Sequence, residues 1–97
     1  MIMRQTKDMR KKDNQEKLLK SISLIESILK TYNVPKSIKV SMKEILVILK
    51  DEKNGEMSVR IANAVSLLEG MTQNHHIQSH IRTNVWQIIS TLESIRE

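Results

Sequence analysis

Residues 38–49 read IKVSMKEILVIL. In this stretch Ile38, Met42, Ile45 and Leu49 recur at intervals of four, three and four, the period of one face of a helix. Residues 81–92 read IRTNVWQIISTL and place Ile81, Val85, Ile88 and Leu92 at the same intervals. Two further patterns lie upstream of these. Leu18, Ile22, Ile25, Leu29 and Tyr32 mark a first helix, and Ile61, Val65, Leu68 and Met71, with Ala64 beside them, mark a third.

The intervening residues are breakers. Asn33-Val34-Pro35 separates the first two patterns, and the proline disfavours helix at Val34 while suiting the first turn of a new one. Asp51-Glu52-Lys53-Asn54-Gly55 is the most turn-like stretch, with Gly55 free to take positive φ. Thr72-Gln73-Asn74 closes the third helix. Linkers this short make neighbouring helices antiparallel, so the expected fold is all-α. One hairpin leaves an apolar face open, and two laid face to face close an up-and-down four-helix bundle. Asp13 to Glu16 has the form of a capping box at the start of the first helix, unless basic residues upstream extend that helix and leave the box internal.

A shift of 43 residues superposes the halves without a gap. Ser23 meets Ser66, Glu26 meets Glu69, Ile45 meets Ile88 and Lys39 meets Arg82. The period falls in the range of helix-pair repeats, although two amphipathic helices always share some pattern.

Composition bounds the function classes. The 97 residues make one domain, whose stability margin is expected to be about 5 kcal/mol. The chain has no cysteine and no phenylalanine, so its core is Leu, Ile, Val and Met, and disulfide or thiolate chemistry is excluded. A cytoplasmic location is expected. The longest apolar run, Ile45 to Leu49, is far too short to span a bilayer, and the N-terminus lacks the apolar core of a signal peptide. Residues 1–20 hold seven basic and three acidic side chains, which carry most of the net charge of +5. We therefore expect residues 1–13 to be a basic, helical extension and residues 14–97 to be the bundle.

Three segments, VPKSIK at 34–39, SVRIANAVSLLE at 58–69 and HIRTNVWQIISTLESI at 80–95, resemble a small archaeal group, uncharacterised protein family 0147. The resemblance covers about residues 15 to 95 and leaves the basic extension outside. It implies a four-helix bundle of up-and-down type and no activity, cofactor or substrate. The family often has proline where this chain has Gln78, the counterpart of Pro35, which implies a less sharp start for the fourth helix.

The candidate functional residues are few. His76 and His80 are spaced so that two imidazoles share a helix face. No acidic residue lies between Glu69 and Glu93 to supply a third ligand, so the expected role is solvation at a helix start, with no native metal and no cofactor. Trp86 lies off the Ile81–Leu92 stripe, with Arg82, Ile89 and Glu93 on its side. It either widens the buried face or stands partly exposed as a partner contact, with Arg82 over its ring. Val40 and Val47, seven apart, project away from the core seam, while their counterparts Thr83 and Ser90 are polar. That face is a candidate for protein partners or for a second copy of the chain. Arg4, Lys7, Arg10, Lys11 and Lys12 form the alternative surface, able to track the phosphates of nucleic acid without reading sequence. No aromatic residue is interleaved there to stack on bases. There is no glycine-rich phosphate loop and no visible Ser–His–acid set, so neither an enzyme nor a small-molecule substrate is expected.

Overall fold

A computed structural model describes residues 7–31, 34–74 and 77–95. It contains α1 (Lys7–Leu29), α2 (Lys36–Lys50), α3 (Met57–Thr72) and α4 (Ser79–Glu93), with a short 3₁₀ turn, Glu52–Asn54, between α2 and α3. Six residues link each helix to the next, at 30–35, 51–56 and 73–78. Each helix packs on its two ring neighbours, α1 on α2 and α4, and α3 on α2 and α4. This is the expected four-helix bundle.

The core is one aliphatic seam. Ile25, Ile38, Met42, Ile45, Leu49, Leu68, Ile81, Val85, Ile88 and Leu92 are fully buried. The second and fourth stripes are the residues that the sequence pattern predicts. The first is buried at Ile22 and Ile25 and needs additions. Its buried line runs through Asn14, Leu18, Ser21, Ile25 and Ile28, in steps of four, three, four and three, with Leu18 only partly buried and Leu29 off the line. Ser21 is wholly enclosed, and its hydroxyl donates to the Lys17 carbonyl at 3.0 Å. A reading of apolar residues alone passes over this polar position, while the predicted Ile22 and Ile25 are buried in the core and Leu18 and Leu29 pack against it, partly buried. Tyr32 lies outside the described residues.

The halves repeat in structure. α1 and α3 end 43 residues apart, at Leu29 and Thr72, and α2 and α4 share that offset at both ends. Burial follows: Ser21 and Ala64 are both at 0%, as are Ile25 and Leu68, Met42 and Val85, and Ile45 and Ile88. α3 begins at Met57, the counterpart of Asn14, so α1 exceeds its counterpart by residues 7–13. The helix is continuous across that point. Asp13 to Glu16 is therefore internal, and Asp13 pairs with Lys17 one turn on, at 3.2 Å.

Local chemistry sets the helix ends. Pro35 (φ −56°, ψ 144°) is the residue just before α2, one place earlier than a first-turn proline, and its carbonyl accepts from Ile38 at 3.0 Å and Lys39 at 3.1 Å. Gln78 (φ −70°, ψ 151°) holds the same conformation before α4, and its carbonyl accepts from Arg82 at 2.9 Å. The fourth helix thus starts as sharply as the second without proline, a correction to what the resemblance implied. Asp51 accepts from the Lys53 N–H at 3.0 Å and opens the turn that Gly55 closes at φ 116°.

Candidate interaction surface

The outer face of α2 carries Lys36, Val40, Lys43, Val47 and Lys50 in steps of four, three, four and three, and all five are exposed. At about 100° per residue they fall within an arc of about 80°, directly opposite the core stripe. Val40 is 49% exposed and Val47 60%. Leu46, half-buried, adjoins Val47 and extends the apolar surface between Lys43 and Lys50. The outward valines are where the sequence placed them. The lysines that alternate with them were missed, although they keep the same helical period as the valines.

Trp86 is 48% exposed and borders a shallow groove between α1 and α4, with Lys20 and Leu24 across from it. The reading in which it widens the buried face is corrected, because Ile89, only 2% exposed, does that instead. Arg82 is turned to other work. Its Nε donates to the Thr72 carbonyl and its Nη2 to the Asn74 carbonyl, both at 3.2 Å. The guanidinium therefore ties the start of α4 to the end of α3, where the last carbonyls lack helical partners, and the expected cover over Trp86 gives way to this cap.

Two more cations serve as caps. Arg60 is buried on α3, with Nη1 2.7 Å from the Leu49 carbonyl and Nε 3.1 Å from that of Gly55. Lys17 Nζ lies 3.1 Å from the Ser94 carbonyl at the end of α4. Positive charge is favourable at helix C-termini, where the carbonyl dipoles point outward. No sequence pattern distinguished these residues from solvated cations.

Among the other candidates, His80 is exposed in the first turn of α4, and His76 lies outside the described residues. No three His, Cys, Asp or Glu side chains come together among the described residues. Lys7 and Arg10 are on the first turns of α1, Lys11 and Lys12 are exposed, and Arg4 lies outside the described residues. None of the described helices is long and apolar enough to cross a membrane.

The model of an uncharacterised protein family, UPF0147, matches residues 5–95. The chain belongs to this family. A UPF0147 protein of Desulfurococcus amylolyticus is 39% identical over 85 residues, which span 88% of this chain and 92% of that protein. One from Aeropyrum pernix is 33% identical over the same shares. A crystal structure of a UPF0147 member from Thermoplasma acidophilum matches with a TM-score of 0.80 at 24% identity, over 88% of this chain and 99% of that one. A second crystal structure, of MMP1188, described as a protein of unknown function, matches with a TM-score of 0.80 at 30% identity, over 86% and 93%. The UPF0147 match begins at residue 5, so it takes in Lys7 to Lys12, which the resemblance had been expected to leave outside. These relatives are archaeal and uncharacterised; they establish the fold and the family and name no activity.

Proposed function

We propose that this UPF0147 protein is a non-enzymatic, cytoplasmic interaction module whose α2 ridge is its contact face. One observation carries the reading. Val40 and Val47 stand exposed at a seven-residue interval on a face whose counterpart positions, Thr83 and Ser90, are polar. The core does not need that stripe, because α2 already buries Ile38, Met42, Ile45 and Leu49 on its opposite side. Exposed apolar residues flanked by charge are the usual composition of a protein contact: the valines supply desolvation, and the lysines supply orientation and encounter rate.

A photo-crosslinking residue placed at Val40 or Val47 in living cells tests this. A discrete adduct from these positions, absent from the exposed control Lys30, is the expected result. Equal labelling at all three, or none, defeats the proposal.

The second reading is sequence-independent binding of nucleic acid. It is favoured by the charge of the first hairpin: residues 1–53 hold thirteen basic and seven acidic side chains, and residues 54–97 hold three and four. Titration of labelled RNA and DNA at two salt concentrations separates the readings, because phosphate contacts give a steep salt slope. Affinity that survives replacement of Lys7, Arg10, Lys11 and Lys12 together would remove the N-terminal surface from it.

A further inference from the structure

The two hairpins carry equivalent outer grooves that differ in charge. In the first, between α1 and α2, Leu18, Ile22 and Leu49 line the floor, and Lys50 Nζ lies 4.0 Å from Glu26 Oε2. In the second, of about 580 Å³ between α3 and α4, Ile61, Val65 and Leu92 take the same places. Glu69 stands where Glu26 does, and Glu93 stands where Lys50 does. The ion pair of one hairpin is thus two carboxylates in the other, over an aliphatic floor that Ile95 extends. The rest of the outer face of α3 carries Val59, Ala62, Asn63, Ser66 and Leu67, all exposed and none charged.

We propose that this groove receives the α2 ridge of a second copy of the chain, so that UPF0147 chains associate head to tail. This rests on the reading of α2 as the contact face and names what it meets. Three features carry it. Charge is complementary, with Lys36, Lys43 and Lys50 on the ridge, the last also paired with Glu26 at 4.0 Å, and Glu69 and Glu93 at the groove. Apolar content is complementary too, as Val40 and Val47 alternate with those lysines over a helix length of about 21 Å and the groove floor is aliphatic. Finally, the ridge points away from the core of its own bundle and cannot turn into its own groove, so the occupant must come from another molecule. Ridge and groove are different surfaces, so the contact is heterologous, and copies either close into a ring or continue as a chain.

The test is sedimentation velocity of the full-length protein over a concentration series, at low salt and at about 1 M salt, where the screening length falls to about 3 Å. Two charge-swapped chains are compared with it, Lys36→Glu with Lys43→Glu on the ridge, and Glu69→Lys with Glu93→Lys at the groove. All four positions are exposed, and circular dichroism confirms that the bundle persists. We expect concentration-dependent association of the natural chain, weakened at least about tenfold by either swap and by high salt, and restored when the two swapped chains are mixed. A chain that stays monomeric throughout overturns the proposal, as does a mixture that fails to restore association. Weakening by the groove swap alone would assign the groove to another basic segment, such as the N-terminal one, and overturn the ridge as occupant. A monomer whose Val47 still crosslinks a different protein in cells sinks self-association and leaves the contact-face reading standing. Loss of that crosslink sinks the reading itself.

Discussion

Lys17 and Arg60 stand 43 residues apart and cap opposite hairpins: Lys17 of the first reaches the Ser94 carbonyl at the end of α4, and Arg60 of the second reaches the Leu49 carbonyl at the end of α2. The reciprocity ties the hairpins together through helix ends, where backbone carbonyls have no helical partner. The two residues differ in burial, since Arg60 is 7% exposed and the Lys17 side chain 32%.

That difference predicts unequal costs. Arg60→Ala removes two charge-assisted bonds and strands a buried carbonyl, so it should destabilise by about 2–4 kcal/mol. Lys17→Ala removes one exposed bond and one exposed ion pair and should cost less than about 1 kcal/mol. Urea denaturation of the two variants checks this. Equal costs would show that burial at Arg60 contributes nothing to the cap.

Ile45 and Ile88 occupy equivalent places and are both at 0% exposure. Replacing either by alanine should cost about 2–5 kcal/mol, the lost burial plus the cavity left behind. Against a total of about 5 kcal/mol, each variant should keep no more than about 3 kcal/mol, visible as a lowered urea midpoint followed by circular dichroism. Costs differing by more than about twofold would mean that the repeat in sequence position is not a repeat in packing.

The bundle was legible because α2 and α4 place every seam position on an aliphatic residue. α1 was legible only in outline. Its seam includes Asn14 and Ser21, and a polar residue buried by a local bond leaves no mark in a hydrophobic pattern. The exposure of Val40 and Val47 was legible from their spacing. The roles of Arg60 and Arg82 were not, because a capping guanidinium is recognised by the carbonyls it reaches, and those belong to the helix before it. The inequality of the two grooves needed both the alignment of halves and the coordinates that bring Glu69 and Glu93 to one groove.

The two glycines should respond to alanine with opposite signs. Gly55 has φ 116°, a region that side-chain-bearing residues rarely adopt. Its added Cβ would meet Val59 at an ordinary 3.5 Å, so the cost is backbone strain, about 1–3 kcal/mol. Gly70 is helical with nothing within 4 Å of an added Cβ, and alanine there should stabilise by about 0.5–1 kcal/mol. Thermal melting of the pair decides the matter. Destabilisation by Gly70→Ala would mean that helix propensity does not govern this exposed position.

Gln78 offers a route to stabilisation. Its φ of −70° already lies where a proline ring would hold it, and Pro35 takes the equivalent position with φ −56°. Proline also restricts the residue before it, here Ile77, whose counterpart Val34 precedes Pro35 in the first half. Gln78→Pro should therefore act mainly on the unfolded chain, reducing its freedom and stabilising the fold by about 0.4–1 kcal/mol. For a domain of this size that corresponds to a rise in melting temperature of roughly 2–8 °C. The side chain of Gln78 is exposed and makes no capping bond, so its removal costs the fold no side-chain contact of that kind. A fall in melting temperature would mean that the backbone entering α4 differs from its counterpart at α2, and that the match of the two helix starts is one of angle alone.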